Sequence, residues 1–196
     1  MSGTSTTGRD GIVLTVDSTL DETTAAELWE LYHLAFGELA PHAAARQLLS
    51  RRDFALEVLD PRVVKYLARR TDGRIAGLCT LSNDLDTVPW ISAEFYRSRY
   101  PGHVARRAVF YCGIAMVHPD ARTSRAFHDM VAALARDVSA ADGVLIADMC
   151  RYNVEDLQLA RTVTLMMRRF WGSVRHLELD RQLYLAWEPG HRPPPP

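Results

Sequence analysis

The chain has 196 residues, of which 47% are hydrophobic and 24% charged, a balance typical of one globular domain with a sizeable core. Its formal net charge of -1 gives no field that would attract nucleic acid, and no apolar stretch is long enough for a membrane span, so we expect a soluble cytoplasmic protein. Cys79, Cys112 and Cys150 form no CxxC pair and lie in apolar runs, which favours core side chains over a disulfide or a zinc site.

Composition at the two ends sets the predicted domain limits. Residues 1–10 are small and polar, and residues 189–196 are rich in proline, so both segments are expected to be disordered. Residues 11–188 are then expected to form a single domain. No internal repeat divides this range.

The first half of that domain begins with a strand and two helices. A β-branched run at 11–16 predicts the strand, and Thr19 with Glu22 has the spacing of a capping box at the start of the first helix. A second helix is predicted at 43–58. Two apolar runs on either side of the dipeptide at 72–73, Asp-Gly, then predict a β-hairpin.

Residues 84–105 interrupt this pattern with prolines and aromatic residues, and we expect a partly helical lid lying on the sheet. Two interpretations of its four aromatic residues are open: they line an apolar groove for an acyl chain or an acceptor, or they form a satellite core. These residues are Trp90, Phe95, Tyr96 and Tyr100.

The second half predicts a long central strand at 106–117, followed by an amphipathic helix with apolar residues at helical spacing from 127 to 138. A continuous apolar run at 143–150 is typical of a buried parallel strand. A helix at 153–170 and a β region at 173–188 complete the domain.

This element order, with the motif VHPDAR at 117–122 between the central strand and its helix, resembles the GNAT superfamily of N-acyltransferases over roughly residues 11–188. The resemblance implies an α/β fold with a mixed, mostly antiparallel sheet, a splayed parallel central pair and helices on both faces. It also implies that an acyl group moves from acyl-CoA or an acyl-phosphopantetheine carrier protein to an amine, without a metal. The pantetheine arm would pair with strand backbone near Met116 and Val117.

The pyrophosphate loop of the family corresponds to the start of the following helix, where unpaired N–H groups and the helix dipole favour an anion. Only the leading arginine agrees with the family pattern, because Arg125 and Phe127 stand where glycine is usual. Two interpretations are open: arginine and hydroxyl side chains hold the phosphate, as would suit a carrier protein, or the segment is a plain solvated helix start. The matched residues are Arg122, Thr123, Ser124, Arg125, Ala126 and Phe127.

Candidate catalytic residues lie near the predicted splay. Tyr111 on the central strand, Glu94 in the lid and Tyr152 after the apolar run are the candidates for proton transfer. Asn153 corresponds to a family residue near the pantetheine, although an asparagine there could equally cap a helix. Arg168 stands where the family commonly has a tyrosine acid, so a non-catalytic binding or regulatory module is the alternative function. The amine acceptor stays unidentified, and a homodimer is left open.

Overall fold

The computed structural model describes residues 4–7, 11–43 and 48–187, so the tail predicted to be disordered at 189–196 lies outside these ranges. The strands are β1 Thr4–Thr7, β2 Ile12–Asp17, β3 Val64–Arg70, β4 Ile75–Leu81, β5 Val109–Tyr111, β6 Ala115–Val117 and β7 Val144–Ile146. The α-helices are α1 Glu22–Phe36, α2 Arg51–Leu59, α3 Ala93–Arg99, α4 Pro101–Ala105, α5 Ala126–Ala140 and α6 Leu159–Trp171.

The β3–β4 hairpin forms where its turn residues predict it. Gly73 has a φ of +89°, a left-handed backbone conformation that glycine adopts without strain. The Asp72 carboxylate accepts a hydrogen bond from the Arg74 N–H at 3.1 Å, which closes the turn. The predicted hairpin is therefore confirmed.

Within the described residues, the larger sheet has the order β1-β2-β3-β4-β6, and all of its pairs are antiparallel. β1 pairs with β2, so residues 4–7, which the sequence predicts to be disordered, form an edge strand instead. The polar sequence TSTT carries no apolar signal, and the strand is held by backbone pairing.

The two remaining strands, β5 and β7, pair in parallel with Val109 opposite Val144. A mostly antiparallel sheet beside one parallel pair, with helices on both faces, is the architecture that the sequence resemblance implied. The predicted fold class is confirmed.

Helix starts differ from the predicted ones. The N-cap of α1 is Asp21, whose carboxylate accepts from the Thr24 N–H at 2.7 Å, so the capping box predicted at Thr19 and Glu22 is wrong. Ser50 caps α2 in the same way through the Asp53 N–H. The predicted second helix therefore begins later than expected, and part of its predicted range, 44–47, lies outside the described residues.

The sheet separates two buried clusters. α1 and α2 cover one face with Leu28, Phe54 and Val58 against Leu78 and Met116. α5 and α6 cover the other face with residues that include Met130, Leu134, Val138 and Met167. On the α1–α2 side, the lid at 85–104 packs over β5 and β7, as predicted.

The C-terminal part departs most from prediction. The predicted helix at 153–170 is divided into a π-helical turn, Tyr152–Asp156, and α6. Residues 172–187 contain no strand, although a β region was predicted there, and Trp187 is 85% exposed. Among the described residues, no helix is both long and apolar enough to cross a membrane.

Candidate functional site

A β-bulge breaks the long central strand that the sequence predicts. On β4, the Thr80 N–H donates to the Ile114 carbonyl at 2.8 Å, and Ser82 pairs with Tyr111. Only Leu81 lies between Thr80 and Ser82, whereas two residues, 112 and 113, lie between their partners. Such an extra residue interrupts the hydrogen-bond ladder and bends the strand. The central strand is therefore observed as β5 and β6.

Beyond the bulge, the parallel pair separates. The Cys112 N–H still donates to the Ile146 carbonyl at 2.9 Å, but β7 ends at Ile146, and β6 continues in the sheet beside β4. Residues 147–150, which the sequence predicts to be strand, have no assigned strand pairing. We call the region between β6 and residues 147–150, which have no assigned pairing with each other, the gap.

The register decides which backbone groups of β6 face this gap. Met116 pairs with Leu78, and backbone hydrogen bonds on either side join Thr80 to Ile114 and His118 to Ala76. Residues 114, 116 and 118 therefore direct their N–H and C=O groups toward β4. Because alternate residues of a strand direct their N–H and C=O groups to opposite sides, Ala115 and Val117 direct theirs to the gap. Of the two residues predicted to pair with pantetheine, Val117 is oriented for it, whereas Met116 bonds with β4.

Glu57 of α2 is buried beside the bulge. It lies on the core-facing side of the helix next to Phe54 and Val58, and it is 6% exposed. The Thr80 hydroxyl donates to Glu57 Oε1 at 2.5 Å and in turn accepts from the Ile114 N–H at 2.8 Å. Among buried side-chain nitrogen and oxygen atoms of the described residues, Glu57 Oε2 alone has no hydrogen-bond partner. A buried polar atom in that state calls for a functional explanation.

The glycine in the bulge is what admits this carboxylate. A Cβ added at Gly113 would lie 2.2 Å from Glu57 Oε1, so the carboxylate fills the space of a side chain at that position. Gly113 itself is exposed. The buried carboxylate therefore packs directly against the backbone of an exposed glycine.

The surroundings of Glu57 shift its proton equilibrium. Burial raises the pKa of its carboxyl to about 7, the Thr80 hydrogen bond opposes this rise, and the charge of Asp148 adds to it. The Lys65 ammonium lowers the pKa by a smaller amount. Near neutral pH both protonation states of Glu57 are populated, as suits a group that takes up and releases a proton.

Tyr111, Trp90 and Asp148 form a second polar group at the gap. The Trp90 indole N–H donates to the Tyr111 hydroxyl at 2.8 Å, and that hydroxyl donates to Asp148 Oδ1. Burial, reinforced by the charge of Asp148, raises the pKa of Tyr111 far above its ordinary value. Tyr111 therefore stays neutral, and of its predicted proton-transfer roles only that of a hydrogen-bond donor fits.

The other two predicted catalytic residues lie elsewhere. Glu94 is on the outer surface of α3, where its side chain is 82% exposed and contacts Arg97. The Glu94 side chain therefore faces solvent, and its contact is with a neighbouring arginine of the same helix. Tyr152 follows residues 147–150, and its ring stacks on that of His42 at 4.2 Å. Asn153 is buried in the π-helical turn and does not begin α6, which starts at Leu159.

The predicted phosphate loop precedes α5. Arg122 and Thr123 are exposed, and the Ser124 hydroxyl accepts from the Ala126 N–H at 3.2 Å. Arg125 is engaged by Asp129, with Nε 3.5 Å from Oδ1. Phe127 is half-buried against the core beneath α5.

These contacts change which parts of the loop are suited to an anion. The Phe127 ring packs into the core, so it obstructs the loop less than the sequence suggests. Arg122 and Arg125 are both exposed at the helix start, and Arg125 is engaged by Asp129.

The lid aromatics pack mainly toward the sheet. Tyr96 and Tyr100 pack against the cluster formed by Val109, Tyr111 and Ile146, as a satellite core does. Phe95 is 39% exposed. Trp90 differs, because its indole reaches the Tyr111 hydroxyl at the gap.

Glu57 and Asp148 were not among the predicted site residues. In the segment FALEVL, Glu57 falls at i+3 from Phe54 and one residue before Val58, so a charged residue occupies the apolar stripe of the helix. Gly113 inside the apolar run FYCGIAMV is a sequence signal for a bulge. These two signals together could have indicated the site.

Neither protein-family models nor curated proteins give a match. Several solved structures are similar to this chain. An acetyltransferase from Trypanosoma brucei is 17% identical, with a TM-score of 0.45, over 90% of this chain and 99% of that chain. AAC(6')-Iy in complex with a CoA bisubstrate analog is 13% identical, with a TM-score of 0.49, over 89% and 98%. An aminoglycoside acetyltransferase from an uncultured soil metagenomic sample, in complex with sisomicin, is 10% identical, with a TM-score of 0.47, over 89% and 98%.

Proposed function

We propose that this protein is an N-acyltransferase that moves an acyl group from a CoA or carrier-protein thioester to an amine. The observation that carries the proposal is the gap between β6 and residues 147–150, with the backbone of Ala115 and Val117 directed into it. Pantetheine contains two amide groups, and such groups bind an unpaired strand as an additional strand would.

A donor in this gap would present its thioester at the bulge. Its phosphate end would extend toward the start of α5, where Arg122 is exposed and the helix dipole favours an anion. The phosphate of a carrier protein needs fewer contacts than the pyrophosphate of CoA. Although the Phe127 ring packs into the core, the Cβ atoms at 125 and 127 still restrict close approach of phosphate to the backbone, which favours a carrier-protein donor over CoA itself.

The chemistry asks little of the protein beyond positioning. A thioester is already activated, so holding an amine against its carbonyl carbon supplies a large part of the rate. Backbone N–H groups directed into the gap can stabilise the negative charge that develops on the carbonyl oxygen. What remains is to remove a proton from the incoming amine.

A substitution at Ala115 tests the donor site. Ala115→Pro removes an N–H that faces the gap and leaves the ladder to β4 intact, whereas the control Ala115→Val keeps that N–H. We expect binding of CoA, long-chain acyl-CoA or acyl-carrier protein, followed by calorimetry, to be lost in Ala115→Pro and retained in Ala115→Val. Equal binding by the two variants would overturn the proposed donor site.

The alternative function is a binding or regulatory module without catalysis. Two observations favour it: the glycine-free loop, and an exposed arginine, Arg168, where the family has a tyrosine acid. A module of this kind would bind the donor but transfer no acyl group to any primary amine. Release of free thiol in the presence of an amine separates the two functions.

A further inference from the structure

We propose that Glu57 is the proton acceptor of the transfer reaction, acting on an alkyl amine that reaches the bulge from the side of α1, α2 and the lid. This inference rests on the proposed function, since it names a catalytic residue and an acceptor class for the same gap. Neither follows from the similarity to solved structures.

The first support is the unsatisfied oxygen. Glu57 is 6% exposed, and Thr80 engages its Oε1, while its Oε2 has no partner among the described residues. A carboxylate buried for structural reasons would be expected to have both oxygens hydrogen-bonded. The free Oε2 is the acceptor that an ammonium group requires.

The second support is the position of the carboxylate at the splay. It occupies the space that a side chain at position 113 would fill, in the bulge from which β6 and residues 147–150 diverge. A thioester paired with β6 would end near this bulge. The carboxylate and the reacting carbonyl would therefore lie on adjacent sides of one glycine.

The third support is the face of the sheet. Glu57 belongs to α2, and the lid covers β5 and β7 on this same face. His42, from the segment after α1, stacks on Tyr152 beyond the gap. An acceptor that approaches from this face would be separate from a donor held along β6.

The proposed step balances as follows. The Glu57 carboxylate takes one proton from the ammonium group, and the freed nitrogen lone pair attacks the thioester carbonyl carbon. The C–N bond forms, the C–S bond breaks, and a proton from the same nitrogen passes to the departing sulfur. The amide and the free thiol leave, and Glu57 returns its proton to solvent.

Four ionisable groups from the surrounding elements face Glu57. The negative charge of Asp148 raises the pKa of Glu57, and Lys65 on β3 lowers it. Tyr111 and Cys112 on the central strand also interact with the Glu57 charge, and burial raises the pKa of Cys112 to about 12, so its thiol stays protonated. Burial lowers the pKa of Lys65 to about 8, so Lys65 as well as Glu57 can exchange a proton near neutral pH.

The chemistry of the nucleophile provides the test. Butylamine is almost wholly protonated at pH 7 and needs a base, whereas hydroxylamine is neutral at that pH and does not. Acetyl-phosphopantetheine serves as donor, because CoA and carrier proteins share this part. Thiol release is followed by mass spectrometry for the wild type, Glu57→Gln and the exposed control Glu30→Gln.

We expect Glu57→Gln to lower kcat/KM for butylamine by about 100-fold or more, the contribution typical of a general base. Transfer to hydroxylamine should change by less than about threefold, and Glu30→Gln should match the wild type with both nucleophiles. Equal losses with both nucleophiles, or none with butylamine, would overturn the role of Glu57. A wild type that transfers to neither nucleophile would overturn the proposed function itself.

A second variant keeps the inference testable if Glu57→Gln folds poorly. Thr80→Val removes the hydrogen bond that lowers the pKa of Glu57. The rise of butylamine kcat/KM with pH should therefore move to higher pH, with the maximal rate changed far less than in Glu57→Gln. An unmoved pH profile in a folded Thr80→Val protein would contradict the proposal.

Discussion

Replacing Glu57 with glutamine should change how stability depends on pH. Burial raises the pKa of this carboxyl from 4.5 to about 7 in the folded protein, whereas in the unfolded chain it stays near its ordinary value. Between these two pH values the folded state holds one more proton than the unfolded state. Stability therefore falls as pH rises through this window, and the full loss is present above about pH 7.

The size of this loss of unfolding free energy follows from the difference between the folded and unfolded pKa values of Glu57. At about 1.4 kcal/mol for each tenfold change, it amounts to roughly 3 kcal/mol. Glutamine has no titrating proton but can still accept the Thr80 hydrogen bond. Relative to wild type, Glu57→Gln should thus gain about 3 kcal/mol of unfolding free energy between pH 4.5 and pH 8.

Urea denaturation of both proteins at half-unit steps of pH measures this difference directly. Glu94→Gln is the matched control, because its side chain is 82% exposed and the same chemical change should leave the pH dependence of stability unaltered. Parallel stability curves for wild type and Glu57→Gln would refute the reasoning. In that case water or a local rearrangement would already satisfy the carboxylate.

Three further predictions concern the surroundings of the gap. Arg122→Ala should weaken CoA or carrier-protein binding by about 1–3 kcal/mol in calorimetry, the loss of a charge-assisted hydrogen bond, and an unchanged affinity would contradict a phosphate site there. Trp90→Phe should cost about 1 kcal/mol of unfolding free energy by removing its hydrogen bond to Tyr111, and a variant as stable as wild type would show that bond to contribute nothing. Gly113→Ala should lower the unfolding free energy by about 1–3 kcal/mol, because the added methyl group would overpack against Glu57. Most of this loss should disappear when Glu57 is also replaced by alanine, and full additivity of the two substitutions would contradict the contact.

The parts of the fold that depend on local sequence were predictable. The β3–β4 turn needs only Asp72 and Gly73, and α5 follows from apolar residues at helical spacing. A strand, in contrast, needs a partner. The alternating apolar residues at 173–187 favour a strand, but no neighbouring strand pairs with them in the described part of the chain. β1 is the reverse case, because a polar segment pairs with β2.

The candidate site was only partly predictable for a similar reason. Tyr111 and Val117 belong to the central strand, so position along that strand was enough to place them at the splay. Glu57 and Asp148 are 91 residues apart in sequence, and their interaction depends on how α2 packs across the bulge. Glu94 was chosen for its membership of the lid, and sequence position does not tell which surface of a short helix faces outward; its side chain is 82% exposed.

The bulge gives the gap a simple genetic basis. One residue more on the central strand than on β4 is what separates the ladder into β5 and β6. Loss of one codon at position 112 or 113 would let the strand run in a single register beside β4, and the freed edge could pair with residues 147–150. Gain or loss of a ligand site on this scaffold could then occur in one deletion or insertion event, without any change in side-chain chemistry.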